Sequence, residues 1–263
     1  MKKKILVLAK AEPLKSTKYD AVVCTAGITE DGEFIRIYPV HYRLFCDEKT
    51  NIKKYDWIEA DCEKAKDDKR IESHKINPDL IKKVGHIETD GNWAIRNRIL
   101  LPKLSKNIKE LDESGASIGL IRPSEVLDFI YRKSDDAKAD EAGREYNKAY
   151  QMIFDNECGL KKIPEIGKKL DRHFSYIFRC DGEDTKHNII CEDWELYQSF
   201  RSWEYDTEKE LLEKIRQKFF DDFTTNHDLC FIMGTHFIYK TWIIIGLYYP
   251  PKNSTTQRYL DLS

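Results

Sequence analysis

Apolar residues along this chain fall into short runs separated by turns. Residues 5–9 (ILVLA), 20–26 (DAVVCTA), 33–38 (EFIRIY), 55–60 (YDWIEA) and 84–88 (VGHIE) are β-branched or aromatic stretches of strand length. Between them stand Glu30-Asp31-Gly32 and Asp90-Gly91-Asn92, which are turn chemistry. Gly27 to Glu33 reads as a hairpin connection in which Gly32 supplies the positive-φ position. Ser117 to Arg122 and Val126 to Tyr131 read as two further strands joined at Pro123-Ser124-Glu125. Several short strands at this spacing predict a small barrel or sandwich, interrupted by one helix over Lys103 to Glu113.

The pattern changes at Ser134 to Gly143, a charged, small-residue segment without periodicity. Beyond it, Arg144 to Asn156 predicts a helix with Tyr146, Tyr150, Ile153 and Phe154 on one face, followed by the basic connection Lys161-Lys162 to Lys168-Lys169. From His173 to Pro251 the chain carries four apolar strand-like runs and two helices. Thr207 and Glu210 form a capping-box signature, and Leu211, Ile215, Phe219 and Phe223 follow every fourth residue on one buried face. Trp242 to Tyr249 is apolar on both faces, as a central strand is, and Pro250-Pro251 ends it. The expected class is α+β: a β-rich domain over 1–133, a charged linker and helix over 134–172, and a mixed α/β module over 173–263.

A length of 263 residues favours two domains, and 34% charged residues imply a densely solvated surface. No apolar run approaches the ~18–20 residues of a membrane span, and Met1-Lys-Lys-Lys opening into ILVLA is too short for a signal-peptide core. Seven cysteines scattered singly read as reduced thiols, so a cytoplasmic protein is expected. Residues 1–133 carry 26 Lys and Arg against 22 Asp and Glu, and residues 134–263 carry 18 against 24. An offset of this size does not by itself point to a nucleic-acid partner, because a charge-rich surface is usually just solvated.

Two constellations carry candidate chemistry. In the first, Arg36, Tyr38, His41, Tyr42 and Arg43 interleave cations with rings, as a single-strand binding face requires, and Trp57, Trp93, Arg96 and Arg98 extend it. The plainer reading places Tyr38, Tyr42 and Trp57 in a barrel core and Arg36 on its surface. In the second, His187, Asp193 and Glu195 run from a strand into a helix, and His236 lies in a turn. Together they would bind Mg²⁺ or Mn²⁺ through oxygens, or use a histidine as general base. The plainer reading makes Asp193 an N-cap, Glu195 a first-turn acid and His236 a hairpin residue. No CxxC occurs, so a zinc site would have to be assembled from distant ligands such as Cys180, His187 and Cys191. Cys191 beside His187 or His236 is also a conceivable nucleophile, although a cysteine in an apolar strand is more often inert. Phosphate-loop, dinucleotide, HExxH and GxSxG motifs are absent.

Cys24 and Gly27, then Phe34, Ile35, Arg36, Pro39 and Val40, then Asn92 and Trp93 form a pattern that resembles uncharacterised bacterial proteins with dual OB domains. The resemblance covers about the first 130 residues. It implies an OB-type barrel and nucleic-acid contact and brings no catalytic residue. Residues 170–252 resemble other uncharacterised bacterial proteins, some with an extra cysteine where this chain has Gly182, Glu183 and Asp184. The expected fold is therefore an OB-like N-terminal barrel region followed by the mixed module. The expected function is nucleic-acid binding, of single strands or ends. A metal-dependent nuclease or phosphodiesterase and a protein-interaction subunit are the alternatives.

Overall fold

The computed structural model describes residues 1–11, 22–41, 51–66, 68–133, 172–236 and 239–252. Its strands form two sheets. The first contains β1 (Lys2–Lys10), β2 (Val22–Thr29), β3 (Phe34–His41), β4 (Asp56–Lys64), β5 (Ser73–Ile76) and β6 (Lys82–His86). Strands β1-β2-β3-β5-β4 close on themselves because β1 pairs with β2 through Ile5–Lys10 and with β4 through Lys2–Leu6. All pairings in this ring are antiparallel except β3 with β5. The result is a five-stranded OB-like barrel with β6 added at the edge of β4. Gly32, at φ +83°, turns the expected β2–β3 hairpin.

Helix α1 (Asp90–Leu100) follows, then β7 (Leu104–Ser105), α2 (Ile108–Ser114), β8 (Ile118–Ile121) and β9 (Glu125–Lys133). The remaining elements are β10 (Arg172–Arg179), β11 (His187–Cys191), α3 (Trp194–Ser202), α4 (Glu208–Arg216), α5 (Phe223–Asn226), β12 (Cys230–Thr235) and β13 (Trp242–Tyr248). Helices α4 and α5 are joined by a wide π turn over Gln217–Asp222. Thr207 caps α4 as its sequence predicts, through Glu210 N–H to the Thr207 hydroxyl. The helix expected over Lys103 to Glu113 is shorter and later, because Asn107 caps it at Ile108 and Gly115, at φ +69°, ends it. Asp90-Gly91-Asn92, expected as a turn, opens α1 instead.

The second sheet runs β7-β8-β12-β13-β11-β10-β9. It takes in β7, β8 and β9, so the domain boundary expected at residue 133 is corrected: residues 104–133 pair with the C-terminal strands. Strands β8 and β9 are separated by four others in this sheet, a distance of about 24 Å if it were flat. Ile121 and Glu125 are only four residues apart and can span at most about 14 Å. The sheet must therefore curl until those strands approach. With β8 and β9 taken as two halves of one strand interrupted at Arg122 to Ser124, the order β8/β9-β10-β11-β13-β12 repeats that of the first barrel. It includes the same single parallel pairing, β11 with β13 in place of β3 with β5. The expected helix over 144–156 lies outside the described residues.

Strand parity places the cores. Ile5 and Val7 of β1 point into the first barrel with Ile35, Ile37 and Ile58. Leu6 and Leu8, on the other face, pack with Ala26 and Ile28 against Ile118, Leu120, Cys230, Ile232 and Tyr248 of the second sheet. All of these side chains are buried, so the two sheets share an apolar interface. A third cluster, rich in rings such as Phe129, Phe174, Tyr176 and Phe231, lies between the second sheet and α3 to α5. The close approach of the sheets depends on Gly246, where a Cβ atom would come 2.7 Å from Ala9 Cβ. Among the described residues no helix is long and apolar enough to cross a membrane.

Candidate functional site

A cavity of about 620 Å³ opens where the two barrels meet. From the first barrel region it is lined by Lys10, the 51–55 segment, His86, Trp93 and Arg96, and from the second by Trp194, Glu195, Lys218 and Tyr249 among others. Residues 51–55 reach it by an irregular path. Asn51 and Tyr55 adopt positive φ (+23° and +68°), and Tyr55 is held by its N–H to Val7 carbonyl at 2.7 Å and by its carbonyl to Ile87 N–H. Trp93, in the first turn of α1, also has positive φ (+66°). Three of the four described non-glycine residues with positive φ thus border one cavity. Such backbone costs about 1–3 kcal/mol each and concentrates at ligand sites. The π turn adds Lys218 and Phe219 to the wall, and such turns are common where ligands bind.

Two buried cations organise the floor. The Arg96 guanidinium lies 3.7 Å from the Tyr55 ring centre and 4.9 Å from that of Trp93, and its Nε and Nη2 donate to Ile87 carbonyl. Burial pulls its pKa down, opposed by the neighbouring tyrosines. The Lys54 ammonium donates to Leu247 carbonyl at 2.6 Å and faces Asp193 Oδ2 at 3.4 Å and Glu195 Oε2 at 3.6 Å. Burial pulls the Lys54 pKa down, but Asp193 and Glu195 overcome it and hold it well above the usual lysine range. The Tyr55 hydroxyl is buried and has no hydrogen-bond partner among the described residues. Burial drives its pKa far up, so it is a neutral donor. Trp93 and Tyr249 stand 5.4 Å apart, Tyr249 stacks on Phe223 at 4.1 Å, and Lys10 Nζ lies 5.1 Å from the Trp194 ring. Lys10, Lys53, Lys54, Arg96 and Lys218 line the cavity with one acidic residue, Glu195, while Asp193 pairs with Lys54 from behind the wall. The cavity is therefore cationic and walled by rings.

The sequence-predicted interface is only partly assembled. Trp93 and Arg96 meet in the cavity. Arg98 is exposed and outside it, and Trp57 is half-buried with Lys4 Nζ 5.2 Å from its ring. Arg36, expected to be exposed, is buried between the barrels, donating to Ser117 carbonyl at 2.9 Å. Its place on β3 faces the second sheet, which sequence alone could not reveal. Tyr38 is half-buried, preceding a cis peptide bond to Pro39. His41 ends β3, and Tyr42 and Arg43 lie outside the described residues. Lys54, Tyr55, Trp194 and Tyr249 were not expected here. Their only signals were Lys53-Lys54-Tyr55 ahead of a strand and rings at the edges of Trp194 to Trp203 and Trp242 to Tyr249.

The four residues expected to form a catalytic centre do not converge. His187 opens β11 and Asp193 lies two residues beyond its end, a separation of about 20 Å along extended backbone. Asp193 Oδ1 caps α3, accepting from Glu195 and Leu196 N–H, and Oδ2 accepts from Leu247 N–H at 2.9 Å. His236 sits in the β12–β13 turn, stacked on Tyr239 at 4.9 Å, and burial and Arg70 lower its pKa. The Mg²⁺ or Mn²⁺ cluster proposed from these four residues is corrected accordingly. Among the described residues the one group of three potential metal ligands is Cys180, Glu183 and His187. Cys191, the other expected zinc ligand, lies four residues along β11 from His187, about 13 Å away. It is fully buried, and burial pushes its thiol well up, which removes it as a nucleophile.

No curated protein matches the sequence. Residues 1–102 match the family described as Domain of unknown function (DUF8758), which ends just before β7 and so coincides with the division between the sheets. Residues 102–263 match the family described as Domain of unknown function (DUF8757), which covers more than half of the chain, and the chain belongs to that family.

Proposed function

We propose that the chain binds the end of a single-stranded nucleic acid in the cavity between its two barrels. The observation that carries this reading is the convergence of five cationic side chains with the rings of Tyr55, Trp93, Trp194, Phe219 and Tyr249 around one space. Rings stack on bases at about 1–3 kcal/mol each without regard to sequence, and cations neutralise phosphates. The walls come from the end of β1, the 51–55 segment, the end of β6 and α1 on one side, and from α3, the π turn and Tyr249 on the other. A volume of about 620 Å³ falls in the range of small-molecule pockets, so it suits a terminal nucleotide better than a long run. The unpartnered Tyr55 hydroxyl and the fixed Arg96 guanidinium supply donors for that nucleotide.

The test is fluorescence anisotropy with short DNA and RNA oligonucleotides over a salt series. Binding that weakens steeply with salt is expected. The double variant Lys53→Glu/Lys218→Glu should lose at least about tenfold in affinity, at ~1.4 kcal/mol per tenfold, while Arg98→Glu, outside the cavity, should not. An oligonucleotide with both ends closed in hairpins should compete poorly. Absence of wild-type binding at low salt, or equal loss from Arg98→Glu and the cavity variant, would sink the proposal.

A further inference from the structure

At the opposite end of β11 from the cavity, the loop joining β10 to β11 brings Cys180, Glu183 and His187 together. Their sulfur, oxygen and nitrogen ligand atoms lie within 4.8 Å of one another, and Glu183 Oε2 is 2.8 Å from His187 Nε2. We infer that this loop is a transition-metal site that takes Zn²⁺, with Cys180, Glu183 and His187 as its three protein ligands.

The donor set selects the ion. Thiolate, imidazole and carboxylate together suit Zn²⁺, whereas Mg²⁺ and Ca²⁺ require oxygen cages. Tetrahedral ligands on bonds of ~2.0–2.3 Å sit roughly 3.3–3.8 Å apart, so the three atoms need to move by no more than about 1 Å to share an ion. The loop is held in place before any ion arrives. Gly182 takes φ +73°, Glu183 N–H donates to Cys180 carbonyl, and Asn107 Nδ2 donates to Asp181 carbonyl at 3.0 Å. Glu183 Oε1 accepts from Lys109 N–H at 3.2 Å, which orients the carboxylate and leaves Oε2 toward His187, the arrangement that ligating carboxylates use. Cys180 is buried and the Glu183 and His187 side chains are only 13% and 15% exposed, so the three donors are largely shielded from water. Three protein ligands leave a fourth position for water or another small donor. Binding displaces the thiol proton into solvent, and no redox step is involved.

The experiment is titration of the metal-stripped full chain with Co²⁺ as a spectroscopic stand-in for Zn²⁺, followed by competition with Zn²⁺. One equivalent should bind with a thiolate-to-metal charge-transfer band and tetrahedral visible absorption, and Zn²⁺ should bleach both. Cys180→Ser should abolish the charge-transfer band, and Glu183→Gln and His187→Gln should each weaken binding by about 10- to 100-fold. Cys24→Ser should leave everything unchanged. A folded wild-type chain that shows no band at saturating Co²⁺ overturns the site. So does a band that survives in Cys180→Ser or, if that variant does not fold, full affinity in both Glu183→Gln and His187→Gln.

Discussion

Lys54 and Asp193 stand 139 positions apart in the chain, yet the ammonium of one lies 3.4 Å from the carboxylate of the other, both out of water. Lys54 leaves the first barrel to reach Leu247 carbonyl on β13, while Asp193 takes Leu247 N–H. One residue of β13 is thus gripped from both sides, and the grip ties the 51–55 segment to the N-terminus of α3. Beside it, Ala11 forms an isolated bridge with Asp193. This clasp sets the width of the cavity, because Lys54, Tyr55, Trp194 and Glu195 all line it.

Removing one member of a buried pair costs about 3–5 kcal/mol, because the other charge is left without compensation. Asp193→Asn retains an N-cap acceptor but strands Lys54 beside Glu195 alone, so a loss in that range is expected in urea denaturation. Lys54→Met leaves Asp193 its three backbone donors and should cost less, about 1–3 kcal/mol. The double variant should cost at least ~1 kcal/mol less than the two singles together; additive costs would show that the charges do not interact. The raised Lys54 pKa means that the folded state holds this proton more tightly than the unfolded one. Its contribution is complete below the ordinary value of 10.5 and is lost as pH rises beyond it. Lys54→Met should remove that part of the alkaline decline.

How far the sequence revealed all this depended on whether the signal was local. The first barrel was legible because its strands alternate and its turns carry glycine, and Thr207 and Glu210 marked a helix start three residues long. Arg36 was misplaced because the burial of a strand's outer face depends on a partner more than eighty residues away, Ser117. Lys54 was invisible for the same reason, since a lysine ahead of a strand looks like surface. The second barrel was hidden because its first strand is split at Arg122 to Ser124 and its partners are spread from β8 to β13. Trp93 and Arg96 were singled out because cations interleaved with rings on neighbouring residues form a short-range pattern, and both line the cavity.

The Tyr55 hydroxyl offers a test of whether the cavity is built for a ligand. A buried hydroxyl without a partner is a cost to the folded protein of about 1–3 kcal/mol. Tyr55→Phe keeps the ring against Arg96 and should leave stability unchanged or raise it by about 1 kcal/mol. The same variant should weaken oligonucleotide binding several-fold. A loss of stability with no effect on binding would make the hydroxyl structural.

Glu192 lies between Cys191 and the capping Asp193, and burial raises its carboxyl pKa to about 7. An acid raised in this way is protonated more readily in the folded state. Its effect is neutral below about 4.5, where both states carry the proton, and destabilising as pH rises from there toward 7. Its side chain is partly exposed, so the cost at pH 8 is about 1–3 kcal/mol. Glu192→Gln should therefore stabilise the protein at pH 8 and leave it unchanged at pH 4, read from thermal or urea midpoints. An equal gain at both pH values would assign the effect to packing.

Gly246 and Ala9 decide how closely the barrels approach. Both positions lie in strands that are buried on both faces, and the Cβ atom of an alanine at 246 would stand 2.7 Å from Ala9 Cβ and 3.2 Å from Ile232 Cδ1. Real carbon atoms do not come so near, so either β1 and β13 separate or the flexible end of Ile232 turns away. The rigid Ala9 methyl is attached directly to its backbone, and it leaves only the first option. Overpacking of this kind costs about 1–3 kcal/mol. Gly246→Ala should therefore destabilise by that amount and, by parting the barrels, loosen the Lys54 clasp and weaken oligonucleotide binding. Ala9→Gly alone should cost about 0.5–1 kcal/mol through backbone freedom. Combined with Gly246→Ala it should restore both stability and binding toward the wild type, because one methyl then occupies the space of the other. If Ala9→Gly/Gly246→Ala is as impaired as Gly246→Ala alone, the barrels are held apart by something other than these two residues.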